Sequence, residues 1–461
     1  MASLTKPRRK LFSLFFPLFL ESMATMLLGV VDTVFLAQIS DNAVGAAGTS
    51  AAYLAMFYLV FSVVSSGVLA VMLQYYGSNQ KGVVYQARQL GILFNGAIGL
   101  VLSITLVIAA PWIIEAIGVS EALRDDATIY FHIVGAACIF DALVPVFACY
   151  LRAFDKVRYT LIAGIAANIV NLALDAIFIF ACGWGVPGAA AATVIGKVVN
   201  LGLCILFSRI LVKGKQYKER ISNRLLAKQI VKIGLPGAVE MTAYSVSVAV
   251  VMAFLNRIDP TGFDAKVRSV AAQITSFSYC AAFAFSQGNA IMVGWRIGEG
   301  KQKECYPITR FSSLIAIGAG VLVELIFALV SPWLCQVFTA DTTLISVVRI
   351  VLFIDIALEV GRAVNLVYGN TLKAAGDAIF PMAATLIVTT LVLIGGSYLF
   401  AVVLRMGAIG AYIALAADEC IRGVIILIRW QSGKWEKKAL VKTKPEESEP
   451  SLEQENPAKA E

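Results

Sequence analysis

Charge is scarce in this 461-residue chain: 15% of its residues are Asp, Glu, Lys or Arg, and it has a single histidine, His132. Soluble domains carry about a quarter charged residues, so an ordinary water-soluble fold is excluded. The eight cysteines contain no CxxC pair and His132 has no neighbouring ligand cluster, which speaks against a metal centre or a disulfide framework. No GxxxxGK[ST] loop is present, so direct ATP use has no support. Nor is there a nucleophile and base pair on which to rest an enzyme. A cleavable signal peptide is not evident either, because the first apolar run is too long and is closely followed by a second.

What is abundant is apolar surface, at 59% hydrophobic residues and a mean hydropathy of +0.79. An all-α polytopic membrane protein is expected. Runs long enough to cross about 30 Å of hydrocarbon lie at 11–37, 44–76, 89–117, 127–151, 158–181 and 187–211. Six more lie at 229–256, 268–296, 308–336, 344–372, 378–404 and 408–430, giving twelve transmembrane helices.

Short cytoplasmic loops collect Lys and Arg. Lys6 to Lys10, Arg152 to Arg158, KGKQYKERISNR at 213–224, and Lys301 with Lys303 all fall on one side under alternating topology, whereas the connections near 38–43 and 182–187 have no basic residue. Both termini are therefore expected in the cytoplasm of a cell that holds the chain in its inner or plasma membrane. The net charge of +8 then needs no nucleic-acid partner. Residues 1–10 form a cytoplasmic N-terminus, 213–228 a basic linker, and 431–461 a charged, Pro-containing tail expected to be disordered.

The chain repeats itself. QYYGSNQKG at 74–82 aligns with WRIGEGKQK at 295–303, and Pro111-Trp112 with Pro332-Trp333, both at a shift of 221. LRAFDK from Leu151 falls on LKAAGD from Leu372, WGVPGAAAA near Gly188 on MGAIGAYIA near Gly410, and PLFLE with Pro17 and Glu21 on PGAVE with Pro236 and Glu240. Six helices per half is an even number, so the repeat is parallel. Two pseudo-symmetric bundles, 11–212 and 229–430, should flank a cleft and rock about it.

Asp32 in LLGVVDTVFLA and Asp175 in NIVNLALDAIFIF lie inside apolar runs, where a bilayer charges roughly 2.5 to 3.5 kcal/mol or more for an ionised carboxylate. Such acids usually face a protein interior and bind protons or cations. Aligned on the second half, Asp32 falls near Val251, Asn171 near Val392, Asp175 near Gly396 and Thr193 near Leu415, so this polar set is expected in the first bundle alone. Asp32, Asp175 and Thr193 count to a common depth of roughly 9 Å at 1.5 Å per residue. Asn171 and Asn168 lie on the Asp175 face, one and two turns away. Carboxylate, amide and hydroxyl oxygens suit Na⁺, and two neighbouring carboxyls suit a proton; spacing leaves both open.

These segments resemble the multidrug and toxic compound extrusion (MATE) family. The resemblance covers about residues 10–430 and rests on the paired six-helix halves, VVDTVFLA, NIVNLALD, GWGVPGAAAATVIG and LKAAGD. In members of the prokaryotic DinF-like kind, a first-helix and a fifth-helix Asp, an Asn one turn before the latter and a sixth-helix Thr form the cation or proton site. The resemblance puts those roles on Asp32, Asp175, Asn171 and Thr193. It also implies a secondary antiporter that expels amphipathic, often cationic compounds in exchange for H⁺ or Na⁺, with no cofactor, surrounded by membrane lipids and working as a monomer.

Some relatives place essential acids in the second bundle. Here Glu240 and FIDIALEVGRAVN, with Asp355, Glu359 and Arg362, offer a second polar site for substrate. Arg362 can neutralise Glu359 or pair with Glu240, and Asp141 divides between packing and function. Asp418 and Arg422, four residues apart, read as a structural pair. Tyr53, Phe57, Tyr244 and Phe283 are read as packing residues that a promiscuous pocket could use. Gly29, Gly188 and Gly410 read as close-packing or hinge positions, and Pro17 and Pro236 as helix bends. The alternatives are a lipid-linked saccharide flippase, which would favour a strongly cationic cleft, and a channel or scaffold.

Overall fold

The computed structural model describes residues 5–117, 119–212, 217–336 and 340–441, without the side chains of residues 5–7, 30, 37, 41 and 42. Twelve helical spans follow one another. The first lobe holds α1 (Thr5–Ala37), α2 (Asp41–Gly77), α3 (Lys81–Ala116), α4 (Glu121–Ala136 and Cys138–Ala153), α5 (Val157–Ala181) and α6 (Gly185–Leu211). The second holds α7 (Asn223–Ile258), α8 (Phe263–Gly298), α9 (Gln302–Cys335), α10 (Thr342–Ala374), α11 (Ile379–Val403) and α12 (Gly407–Gln431).

Each apolar run forms one helix, and several helices extend past the run by one or two polar turns; α7 opens at Asn223, inside the stretch read as linker. α4 departs from a simple span, with a 43° bend at Ala137. A bend frees backbone donors, and here the Ser103 hydroxyl accepts from the Ile139 N–H at 3.1 Å. Nine spans, counting α4, are apolar enough to cross a bilayer on composition. The remaining three, α8, α10 and α12, belong to the second lobe, and α10 and α12 carry most of its buried charges.

The repeat is visible in the backbone. Left-handed turn residues pair across the halves: Asn79 with Gly300, Asp155 with Gly376, Gly183 with Arg405, and Gly185 with Gly407. A widened π turn at Ala176–Ala181 recurs at Tyr398–Val403. Against these turns pack the first-turn glycines of the next helix. An added Cβ on Gly188 would meet Phe178 at 3.0 Å and one on Gly410 the Phe400 backbone at 2.6 Å, so both are close-packing positions as read, whereas Gly29 has nothing within 4 Å. Pro17 and Pro236 sit inside uninterrupted helices.

The lobes meet toward the basic end. A shared core joins Leu14, Phe15, Val68 and Met72 to Ile230, Phe285 and Met292, while two further cores lie within one lobe each. Backbone touches backbone at this seam. A Cβ on Gly67 would lie 2.1 Å from the Ile230 carbonyl oxygen, one on Gly234 1.7 Å from that of Val63, and Gly77 and Gly298 cross in the same way over Trp295 and Gln74. Only glycine permits that approach. Phe15 stacks on Phe285 at 3.8 Å beside them.

Residues 432–441, which open the tail expected to be disordered, are packed on the lobes. Trp435 stacks on Trp430 at 4.2 Å and is fully buried, the Glu436 carboxylate accepts from the Tyr306 hydroxyl at 2.7 Å, and Leu440 packs on Ala70 and Ile233. The Gln74 side chain accepts from the Leu440 N–H at 2.8 Å and donates to the Ala374 carbonyl at 2.6 Å, tying strap and both lobes together. Two tryptophan rings and Leu440 supply the apolar surface that the charge-rich composition obscured; residues 442–461 lie outside the described residues.

Gly67→Val should force α2 and α7 apart, since overpacking at a backbone contact costs about 1–3 kcal/mol or more. Spin labels at Ser78→Cys and Lys301→Cys, in a protein whose native cysteines are replaced, are expected to lose their short-distance population in the valine variant; an unchanged distance distribution would refute the role of the seam.

Candidate functional site

In the first lobe, α5 ends its regular winding at Asp175, and the π turn begins at the next residue. Such widened turns often coincide with functional positions because they re-aim a side chain. Asp175 and Asn171 are buried on the inner face of α5, and Asp32 on α1 faces Asp175 closely enough for the carboxyls to interact directly. Neither Asp175 oxygen, nor Oδ1 of Asp32, nor the Asn171 amide nitrogen has a hydrogen bond of normal geometry. Buried carboxyls are seldom left so. This pair is chemically free to take a proton or a small cation.

The other members of the expected set divide. The Thr193 hydroxyl donates to the Ala189 carbonyl at 2.9 Å and lies beside Tyr130 of α4, so it borders the acids through Tyr130. Asn168 donates to the Ala24 carbonyl at 3.2 Å and fastens α5 to α1. Asp141 forms an ion pair with Lys197 at 2.8 Å, and the Lys197 ammonium also donates to the Tyr58 hydroxyl at 3.2 Å. Sequence reading missed Tyr130 and Lys197. A lysine in the apolar run VIGKVVN was a signal that could have found the second; a tyrosine in TIYFHIV carried none.

The second lobe has a polar interior of its own, which takes in more residues than the Asp355, Glu359 and Arg362 singled out in the sequence. Asp355, Glu359 and Arg362 of α10 meet Glu324 of α9 and Asp418, Glu419 and Arg422 of α12, all in the apolar core. Arg422 pairs with Asp418 at 2.6 Å and Glu419 at 2.8 Å, and Arg362 pairs with Glu359. The Glu324 carboxylate accepts from Ser278 at 3.0 Å, and Asn365 donates to Glu419 at 2.8 Å. Asp355 is fully buried with neither oxygen hydrogen-bonded. At the shifts of the repeat, Arg362 falls on Asp141 and Glu419 on Lys197, so part of this network stands where the first lobe has its Asp141–Lys197 pair, with the charges reversed.

Glu240 pairs with neither Glu359 nor Arg362 but with Lys373 of α10 at 3.1 Å. Its repeat counterpart does the same: Glu21 pairs with Arg152 at 2.9 Å and also accepts from Thr160 at 2.9 Å. The symmetry marks both pairs as parts of the lobe scaffold. Of the four aromatics singled out, Tyr53 and Phe57 pack on the first-lobe core, while Tyr244 and Phe283 line a second-lobe cavity of about 450 Å³ with Arg268, Tyr279, Asp355 and Tyr412.

Two six-helix lobes, joined at one end and each with a polar interior, define a polytopic membrane transporter; the protein is not an enzyme. The chain belongs to the MatE family, whose model matches residues 17–177 and 236–399. It is 31% identical over 447 residues to a Bacillus subtilis protein described as the uncharacterized transporter YisQ, covering 95% of this chain and 98% of that one. It is 24% identical to the probable multidrug resistance protein NorM of Thermotoga maritima, covering 94% of each. Its fold matches a structure described as an outward-facing conformation of a multidrug resistance MATE family transporter, with a TM-score of 0.84 at 17% identity, over 93% of this chain and 97% of the other.

Arg422 tests the second-lobe network. Arg422→Met leaves Asp418 and Glu419 buried without their cation, a change worth about 3–5 kcal/mol. The variant is expected to unfold at a temperature several degrees lower in detergent, and Asp418→Asn with Glu419→Gln added should restore most of the loss. An unshifted Arg422→Met transition would show the network to be dispensable.

Proposed function

We propose that this chain is a secondary antiporter that exports amphipathic or cationic organic compounds while H⁺ or Na⁺ runs inward, by alternating access of its two lobes. One observation carries the reading: among the described membrane-embedded acids of the first lobe, the facing carboxyls of Asp32 and Asp175 have no cationic partner, whereas Glu21 and Asp141 in that lobe are paired. A pair of acids this close cannot both carry charge at low cost, so occupancy by a proton or a cation changes the force between α1 and α5. Asn171 flanks the pair; Thr193 and Asn168 act from the edge, one through Tyr130 and the other by holding α1.

The basic end is assigned to the cytoplasm of a cell membrane, with both termini there. The closed seam then faces the cytoplasm and the lobes part toward the outside. α1 connects site to seam, since it carries Asp32 near one end and Phe15 in the shared core near the other. Exchange follows when ion binding and substrate binding favour different lobe arrangements, a coupling free energy between two sites. The multidrug description of the Thermotoga relative supports a broad organic substrate range. A saccharide flippase, which would favour a strongly cationic cleft, finds no support in the facing carboxyls of Asp32 and Asp175.

Purified protein in liposomes tests the reading, with efflux of a fluorescent organic cation followed under a pH gradient or a Na⁺ gradient alone. Wild type is expected to respond to one gradient, and Asp32→Asn and Asp175→Asn to lose at least nine-tenths of the rate. Full activity in both variants would defeat the assignment of the coupling site.

A further inference from the structure

The cavity of the second lobe has a polarity of its own. Four cationic side chains reach it: Arg268, Arg362, Arg422 and Lys373. Three are neutralised by buried carboxylates, Arg362 by Glu359, Arg422 by Asp418 and Glu419, and Lys373 by Glu240. Two of the three are also covered by rings, Arg422 at 5.1 Å from the centre of Tyr244 and Arg362 at 5.9 Å from that of Tyr279. Arg268 is different. Among the described residues it has no carboxylate within ion-pair range, no hydrogen bond and no ring across its guanidinium.

Arg268 stands about 7.5 Å along α8 from its first residue, at 1.5 Å per residue, and half-buried rather than free in solvent. The acids that line the same cavity cannot offset it. Glu240 and Glu419 are occupied by their own cations, and Asp355, which forms part of the cavity wall, is fully buried and exposes no surface to a ligand. The uncompensated charge presented to a ligand here is therefore a guanidinium, whose planar fork matches a carboxylate with two parallel hydrogen bonds. Tyr244, Tyr279 and Tyr412 line the same cavity, and its volume of about 450 Å³ suits one aromatic compound of modest size.

We propose that this cavity binds an amphipathic organic carboxylate, an anion or zwitterion, with its carboxylate on Arg268 and its ring system among Tyr244, Tyr279 and Tyr412. The assignment rests on the transport reading above and narrows its substrate class. The two lobes thus divide the work by sign: unpaired carboxyls in the first for the coupling cation, an unpaired guanidinium in the second for the acidic end of the cargo. A carboxylate on Arg268 and a cation on Asp32 and Asp175 do not compete for one group, so the coupling between them passes through the lobe arrangement.

The test is equilibrium binding to the detergent-purified full chain without any ion gradient, so that it stands apart from coupling: binding with no gradient-driven efflux would sink the antiport reading alone. Dansylglycine, its neutral amide and the cationic dansyl-ethylenediamine are titrated by fluorescence against wild type, Arg268→Gln and Arg268→Lys. Wild type is expected to bind dansylglycine at least tenfold more tightly than the other two. Arg268→Gln should abolish that preference while leaving the amide unchanged, and Arg268→Lys should keep part of it. Preference for the cation, absence of saturable binding by any of the three, a carboxylate preference that survives Arg268→Gln, or an equal loss of all three in that variant would overturn the proposal.

Discussion

A charge carried into hydrocarbon must meet an opposite charge or a dense set of hydrogen bonds, because the cost of leaving it alone is several kcal/mol. This chain meets that demand by pairing. Lys197 answers Asp141, Arg152 answers Glu21, Lys373 answers Glu240, and Arg422 answers both Asp418 and Glu419. Against so consistent a pattern the exceptions acquire meaning. Among the described residues, Asp32 and Asp175 face each other with no cation in ion-pair range, Asp355 is buried with neither oxygen hydrogen-bonded, and Arg268 stands in its cavity with no anion in ion-pair range. What the protein leaves unpaired, a mobile ion or a ligand can complete.

The second constraint is geometric. Backbone-to-backbone contact at Gly67, Gly77, Gly234 and Gly298 gives the lobes a tight closure at the basic end, and the strap through Trp435 and Leu440 lies across it. Contacts of this kind are all-or-none, since a small rotation of one lobe removes them together. Among the described residues no salt bridge runs from one lobe to the other; the charged groups at the seam, Arg8 over Phe311 and Lys10 over Trp295, meet aromatic rings. α1 runs from this seam at Phe15, past the Glu21 pair, to Asp32, so charge at the site and packing at the seam act on one helix.

Much of this was legible in the residues. Twelve apolar runs gave twelve helices, and the aligned motifs located the paired turns because LRAFDK and LKAAGD place Asp155 and Gly376 at the same left-handed position. Asp32, Asn171 and Asp175 came together because helical spacing fixes which side chains share a face. The rest depended on contacts between helices. Nothing in the order of residues indicated that Glu240 would reach Lys373 rather than Arg362, that Thr193 would turn toward Tyr130, or that Glu324 and Glu419 would enter a second-lobe network. The bend at Ala137 also escaped, since its compensation by Ser103 lies on another helix. In KWEKKALV the charges outnumber the rings, yet the rings decide the packing.

The central claim is that Asp32 and Asp175 take up the coupling ion. Proteoliposomes adsorbed on a solid-supported membrane report charge entering the protein as a transient current after a rapid jump in pH or Na⁺, with no organic substrate present. The account predicts a transient for one of the two ions in wild type and its loss in Asp175→Asn; a transient that persists in Asp32→Asn and Asp175→Asn but disappears in Asp355→Asn would move the ion to the second lobe and contradict it.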